Sequence, residues 1–263
     1  KNIKKSDGSK SKNIRGIHKL VDANWAGTSK SNDCTLILCE GDSAKAGIIS
    51  GLSSEDRNII GVYPMKGKIL NVRGETSKKI MENKEIVEIK RIMGLETGKV
   101  YDENNSKLLL RYGRILFMTD QDLDGSHIKG LGLNLFQSEW SGLSKISGFI
   151  GYMNTPILKA RKGSDTVLFY NEGEYNAWKE TNDVSRWNVK YYKGLGTSTG
   201  KEFKEYFENK KIVVFDYEGV QSDDAVDKVF NKKRADDRKE WLAMYNRESY
   251  VDTGKDAVSF QEF

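Results

Sequence analysis

Carboxylates gather at two points in the chain, each directly after an apolar run. Glu40-Gly-Asp-Ser-Ala44 follows Leu36-Ile-Leu-Cys39, and Asp120-Gln-Asp-Leu-Asp-Gly125 follows Ile115-Leu-Phe-Met118. Like charges at close range raise one another's pKa and repel, so such crowding needs a compensating positive charge. Hard divalent cations such as Mg2+ take oxygen ligands and supply that charge. The expected chemistry is on phosphates, with one or two Mg2+ ions clamping a phosphodiester.

Positioning these carboxylates falls to an alternation of strands and helices. Apolar runs predict strands over 35–39, 58–63 and 114–119, and helical spacing predicts helices over 43–51, 76–93 and 127–140. Ile86, Ile89 and Met93 share one face of the second helix. This alternation predicts an α/β fold with a mostly parallel sheet flanked by helices. Ligands of such sheets bind beyond the carboxyl ends of the strands, where Glu40 and Asp120 both fall. If the strand extends past residue 119, Asp120, Asp122 and Asp124 alternate onto one face. Beyond residue 149 the pattern is α+β, with short strands, a helix over 200–209 and a charged amphipathic helix over 223–245.

The 263 residues are enough for one large domain or two modest ones. No apolar run approaches the roughly 18 residues of a membrane span, so no membrane partner is expected, and the N-terminus carries no secretory signal. Cys34 and Cys39 read as buried, reduced thiols of an intracellular protein, on opposite strand faces. The net charge of +5 is uneven: residues 1–33 hold eight Lys/Arg and three Asp, and the rest balances. That Gly/Ser/Lys-rich, aperiodic stretch reads as a basic linker suited to a polyanion.

Other readings of the acidic stretches are weaker. Asp-x-Asp-x-Asp-Gly opens an EF-hand loop, but its twelfth position here is Leu131 and a strand precedes it. A haloacid-dehalogenase-like phosphatase would use an Asp of this stretch as nucleophile, yet it leaves Glu40-Gly-Asp-Ser unexplained. Solvated turn aspartates explain one cluster more easily than two.

Glu40-Gly-Asp-Ser-Ala44 with Asp120-x-Asp-x-Asp124-Gly-Ser-His-Ile-Lys129 resembles the Toprim domain of type IIA DNA topoisomerases. Further segments resemble the eukaryotic or viral topoisomerase II branch. They are Lys19-Leu-x-Asp-Ala-Asn24 with Ala26-Gly-Thr28, Pro64-Met-Lys-Gly-Lys-Ile-Leu-Asn-Val-Arg73, Ile92-Met-Gly-Leu95, Lys190-Tyr-Tyr-Lys-Gly-Leu-Gly-Thr-Ser198 and Asp236-Asp-Arg-Lys-Glu-Trp-Leu242. The resemblance covers nearly everything from residue 16 onward. It implies a basic linker over 1–33, a Toprim core over 34–160, and an extension over 161–263 leading toward a winged-helix domain. Two departures stand out: Met65 and Lys66 replace the usual Leu-Arg, and Leu123 replaces a histidine.

By this resemblance Glu40 and Asp120 would hold the metal at the scissile phosphate, and Asp122 a second ion. Asp124 would complete that second site or orient its neighbours, and Glu40 would also relay a proton in religation. Asp42 is a candidate cap for the following helix. Lys66, Lys68, Asn71, Arg73, His127, Lys129, Lys193, Gly194 and Lys232 would contact double-stranded DNA. Tyr191 and Tyr192 read as packing residues. The cofactor would be Mg2+, with Mn2+ or Ca2+ able to substitute. None of the twelve tyrosines sits in the context of the family's nucleophile. The resemblance therefore implies a fragment, with the tyrosine, the winged-helix domain and the ATP-using domain outside it, belonging to a nuclear or viral homodimeric enzyme. A gyrase-like subunit, a primase, a nuclease and a non-catalytic DNA-binding module remain alternatives.

Overall fold

Strand β1 (Thr35–Glu40) carries the unbroken apolar run Leu36-Ile-Leu-Cys39 because both of its faces are covered. Leu36 and Leu38 join one core cluster, while Ile37 and Cys39 join another. The computed structural model describes residues 6–263. β1 lies between β2 (Ile60–Met65) and β3 (Arg114–Met118), parallel to both. β4 (Ile150–Met153), β8 (Ile212–Asp216) and β9 (Ala257–Ser259) complete a six-stranded sheet of order β2-β1-β3-β4-β8-β9, in which only the β4–β8 pair is antiparallel. The expected mixed α/β fold with a mostly parallel sheet is therefore present.

Helices α1 (Gly41–Gly51), α2 (Ser54–Ile59), α3 (Ser77–Glu82), α4 (Lys84–Met93), α5 (Glu103–Leu109), α6 (Leu123–Glu139) and α7 (Ser141–Ser144) flank the first strands. A smaller antiparallel sheet of order β6-β5-β7 comprises β5 (Leu158–Lys162), β6 (Asp165–Phe169) and β7 (Asn188–Tyr191). Near it lie α8 (Glu172–Thr181) and α9 (Gly200–Glu208), followed by α10 (Val220–Phe230) and α11 (Ala235–Ala243).

Several expected boundaries move, each through side-chain capping. The helix expected over 76–93 is two helices, because Asn83 leaves helical geometry and accepts the N–H of Ile86 to start α4. A capping box between Ser53 and Asp56 starts α2, which displaces the strand expected over 58–63 to 60–65. The helix expected from His127 begins at Leu123, since Asp122 caps it. The amphipathic helix expected over 223–245 is α10 and α11, parted by a 3-10 turn at Lys232–Arg234.

The largest correction concerns the basic linker. Its described part, residues 6–33, lies against the body: Ile17, Ala23 and Ala26 are buried, and Val21 bridges Val62 on β2. The fully buried Arg111 donates to the carbonyls of Ser11 and Lys12 and pairs with Asp22, which also accepts from Tyr112 Oη. A guanidinium with most of its donors met by chain 89 to 100 residues away makes the segment part of the fold. Its residues 1–5 fall outside the described range.

Candidate metal centre and nucleic-acid interface

Glu40 and Asp120 come together because β1 and β3 pair in register, Cys39 opposite Met118. Glu40 ends β1, and Gly41 then turns the chain into α1 with φ of 83°, a conformation that suits glycine. The Glu40 side chain caps nothing. Burial raises its pKa first, followed by Asp120, Asp122 and Asp124, with Lys68 opposing. All three aspartates therefore act on Glu40 through space. Asp42 is exposed within the first turn of α1, 4.0 Å from Lys45, and is not that helix's cap.

The aspartates do not alternate along a strand as expected, because the chain turns helical at Leu123. Asp122 Oδ1 accepts the N–H of Gly125 at 2.7 Å. Asp124 is exposed and pairs with Lys68 Nζ at 2.7 Å, which lowers its pKa. Asp120 Oδ1 accepts the N–H of Leu195 at 2.7 Å. Asp122 is thus drawn toward α6 and Asp124 toward Lys68. Among the described residues no three such groups stand in metal-holding positions. The donor set nevertheless suits a hard cation: its four carboxylates supply only oxygen, and their mutual repulsion is what a divalent ion relieves.

The expected phosphate-gripping residues divide into two groups. Lys66, Lys68, His127, Lys193 and Lys232 are exposed. Lys68 is engaged by Asp124 and Lys232 by Glu75 at 2.8 Å, and the His127 pKa is lowered by burial and by Lys68. The others point inward. Asn71 donates to the carbonyl of Phe230 at 2.9 Å and accepts from Asn134. Arg73 spends its guanidinium on Asn134, Asp227 and Gln137. These two fasten the loop after β2 to α6 and α10, so their polar groups are engaged within the fold.

Lys129 is likewise buried, its ammonium 4.4 Å from the Tyr152 ring centre, with burial pushing its pKa down to about 8. Gly194 packs against the Asp120 carboxylate. Tyr191 is exposed on β7, edge-on to Tyr175, so it is not a core residue. The Leu195–Asp120 contact was invisible in the sequence; the only signal was the close-approach potential of a Gly-x-Gly pair.

Residues 35–150 match the Toprim domain family, and residues 153–263 match the C-terminal associated domain of TOPRIM. DNA topoisomerase 2 of Plasmodium falciparum is 47% identical over 100% of this chain and 19% of its own length. DNA topoisomerase 2-alpha of Rattus norvegicus is 50% identical over 92% of this chain and 16% of its own. The chain thus spans less than a fifth of these curated relatives. A crystal structure of the Plasmodium falciparum topoisomerase II DNA-binding, cleavage and re-ligation domain superposes with a TM-score of 0.89 at 47% identity, covering 95% of this chain and 34% of that one. Two adjoining family matches, identities near one half and a shared fold lead to one conclusion: this chain belongs to the Toprim family, as a Toprim domain with its C-terminal associated domain of the eukaryotic DNA topoisomerase 2 type.

Proposed function

We propose that this chain supplies the Mg2+-binding half of the DNA cleavage and religation site of an ATP-dependent type II topoisomerase. The observation that carries this reading is the convergence of Glu40, at the end of β1, with the aspartates that follow β3, on strands paired in register. The names of its relatives favour a topoisomerase over a primase, a nuclease or a dehalogenase-like phosphatase. Intact carboxylates favour a working site over a non-catalytic module.

Glu40, Asp120 and Asp122 are the residues that would hold Mg2+, with Asp124 joining when Lys68 releases it. When bound, the ion neutralises charge on the scissile phosphate and the leaving 3′ oxygen. Asp120 is held by the Leu195 N–H, which leaves Oδ2 for that purpose. Glu40, whose carboxyl pKa is raised by burial and by the neighbouring aspartates, is suited to passing a proton to and from the 3′ oxygen. Lys66, Lys68, Lys193 and Lys232 lie exposed to meet backbone phosphates.

The nucleophile would be a tyrosine outside this chain. Its phenolic oxygen bonds to phosphorus as the 3′ oxygen leaves, and the 3′ hydroxyl later reverses the exchange. The winged-helix and ATPase domains of a nuclear, homodimeric full-length protein would supply the remaining parts. In that full-length enzyme, Glu40→Ala and Asp122→Ala are expected to reduce Mg2+-dependent plasmid cleavage by orders of magnitude. Cleavage by both variants at the unsubstituted level refutes the assignment.

A further inference from the structure

A segment 75 residues further along the chain reaches back to Asp120, and its backbone is shaped to that carboxylate. Leu195 N–H donates to Asp120 Oδ1 at 2.7 Å. A methyl group on Gly194 would stand 2.6 Å from Oδ2 and 2.9 Å from the carboxyl carbon. Only a residue without a side chain lets the peptide approach so closely. The donor and the steric wall together select one orientation of Asp120, with one oxygen engaged and the other left for a ligand.

The segment is itself firmly anchored. Leu195 is buried in the cluster containing Cys39 and Met118, the residues immediately before Glu40 and Thr119. Directly after it, α9 packs on α1, the helix that Glu40 starts. Two α1 glycines make that contact: added methyls at Gly47 and Gly51 would lie 2.4 Å and 2.6 Å from Phe203 atoms. Residues 194–208 therefore pack against the carboxyl end of β1 and against Asp120, which follows β3.

We infer that the Gly194–Leu195 peptide is a positioning element that presets Asp120 for a divalent cation, so the C-terminal associated domain completes the metal site of the Toprim domain. This rests on the metal-binding reading proposed above. It reassigns Gly194 from a DNA contact to a support for a ligand. Supports that orient metal ligands typically change affinity by roughly 10- to 100-fold when removed.

The test is a Mn2+ titration of the 263-residue chain by electron paramagnetic resonance, run beside amide hydrogen exchange. Gly194→Ala is expected to weaken Mn2+ binding by about tenfold or more, with circular dichroism and exchange elsewhere unchanged. In the unsubstituted chain the Leu195 amide is expected to exchange more slowly with Mn2+ and faster in Asp120→Ala. Should Gly194→Ala not fold, these two exchange results decide, and an amide indifferent to both overturns the inference. Mn2+ binding that Gly194→Ala leaves unchanged overturns this inference alone. No Mn2+ uptake by the unsubstituted chain overturns both it and the metal reading, even if Leu195 exchange still depends on Asp120.

Discussion

Lys68 Nζ stands 2.7 Å from an Asp124 carboxylate oxygen, so the loop after β2 carries a cation into the acidic cluster at the first turn of α6. Both groups are largely exposed, so solvent screens the pair and it contributes little to stability. Its consequence is electrostatic: the ammonium lowers the Asp124 pKa and opposes the rise at Glu40.

In the metal-binding reading proposed above, Lys68 would compete with a divalent ion for Asp124. Replacing it, Lys68→Met, is expected to raise the Mg2+ affinity of the chain by a few-fold in calorimetric titration at low salt, with the gain fading as salt increases. DNA cleavage by the full-length enzyme is expected to fall in the same variant, because the ammonium is also proposed to meet phosphate. A loss of Mg2+ affinity would argue against the competition.

Lys129 gives the protein a distinct pH dependence. Burial pushes its ammonium down to about 8 from an ordinary 10.5. Between those values the unfolded chain binds the extra proton, so stability from this group rises with pH through that window. Below about pH 8 the folded state carries the buried charge, eased by the Tyr152 ring. Lys129→Met is expected to be more stable near pH 7 by on the order of 1–3 kcal/mol. Urea unfolding at pH 7 and 9.5 is expected to show that advantage shrinking; a constant difference contradicts it.

Arg111 has no exposed surface, and its partner Asp22 lies in the stretch that reads as a linker. Removing one member of a buried ion pair leaves the other uncompensated, typically at a cost of about 3–5 kcal/mol. Asp22→Ala is expected to destabilise the chain on this scale in chemical denaturation. Loss of protection in residues 6–33 by hydrogen exchange is expected to accompany it. An effect below about 1 kcal/mol, the range of surface pairs, would restore the linker reading.

The contact between α1 and α9 distinguishes its two glycines. A methyl at Gly51 meets the Phe203 backbone, which cannot turn aside, whereas one at Gly47 meets the far edge of the Phe203 ring. Gly51→Ala is expected to cost roughly 1–3 kcal/mol, the range for overpacking. Gly47→Ala is expected to cost less, because the ring can shift and alanine favours a helix interior. Equal losses in thermal unfolding would contradict this reading of the interface.

The sheet and the pairing of acidic strands were legible because β1 and β3 are buried on both faces and so appear as continuous apolar runs. Helix starts were less legible: Asp122 and Asn83 are ordinary polar residues whose capping role depends on a backbone bend that periodicity does not register. The candidate carboxylates stand out in the sequence as a pattern, whereas the partners of the residues around them do not. Asn71, Arg73 and Lys129 are polar types that suit phosphate, yet their partners, such as Phe230, Asp227 and Tyr152, come from distant stretches. Residue type reports what a side chain can bind, while its direction is set by long-range packing.

Anomalous diffraction from a crystal of this chain soaked in Mn2+ decides whether these carboxylates form a cation pocket. A peak is expected with Glu40 and Asp120 oxygens about 2.0–2.3 Å away, close to Mg2+–oxygen distances, and with Asp122 in its first or second shell. Ordered density for all four carboxylates with no peak among them, at Mn2+ concentrations that label other acidic sites in the crystal, would contradict the metal assignment.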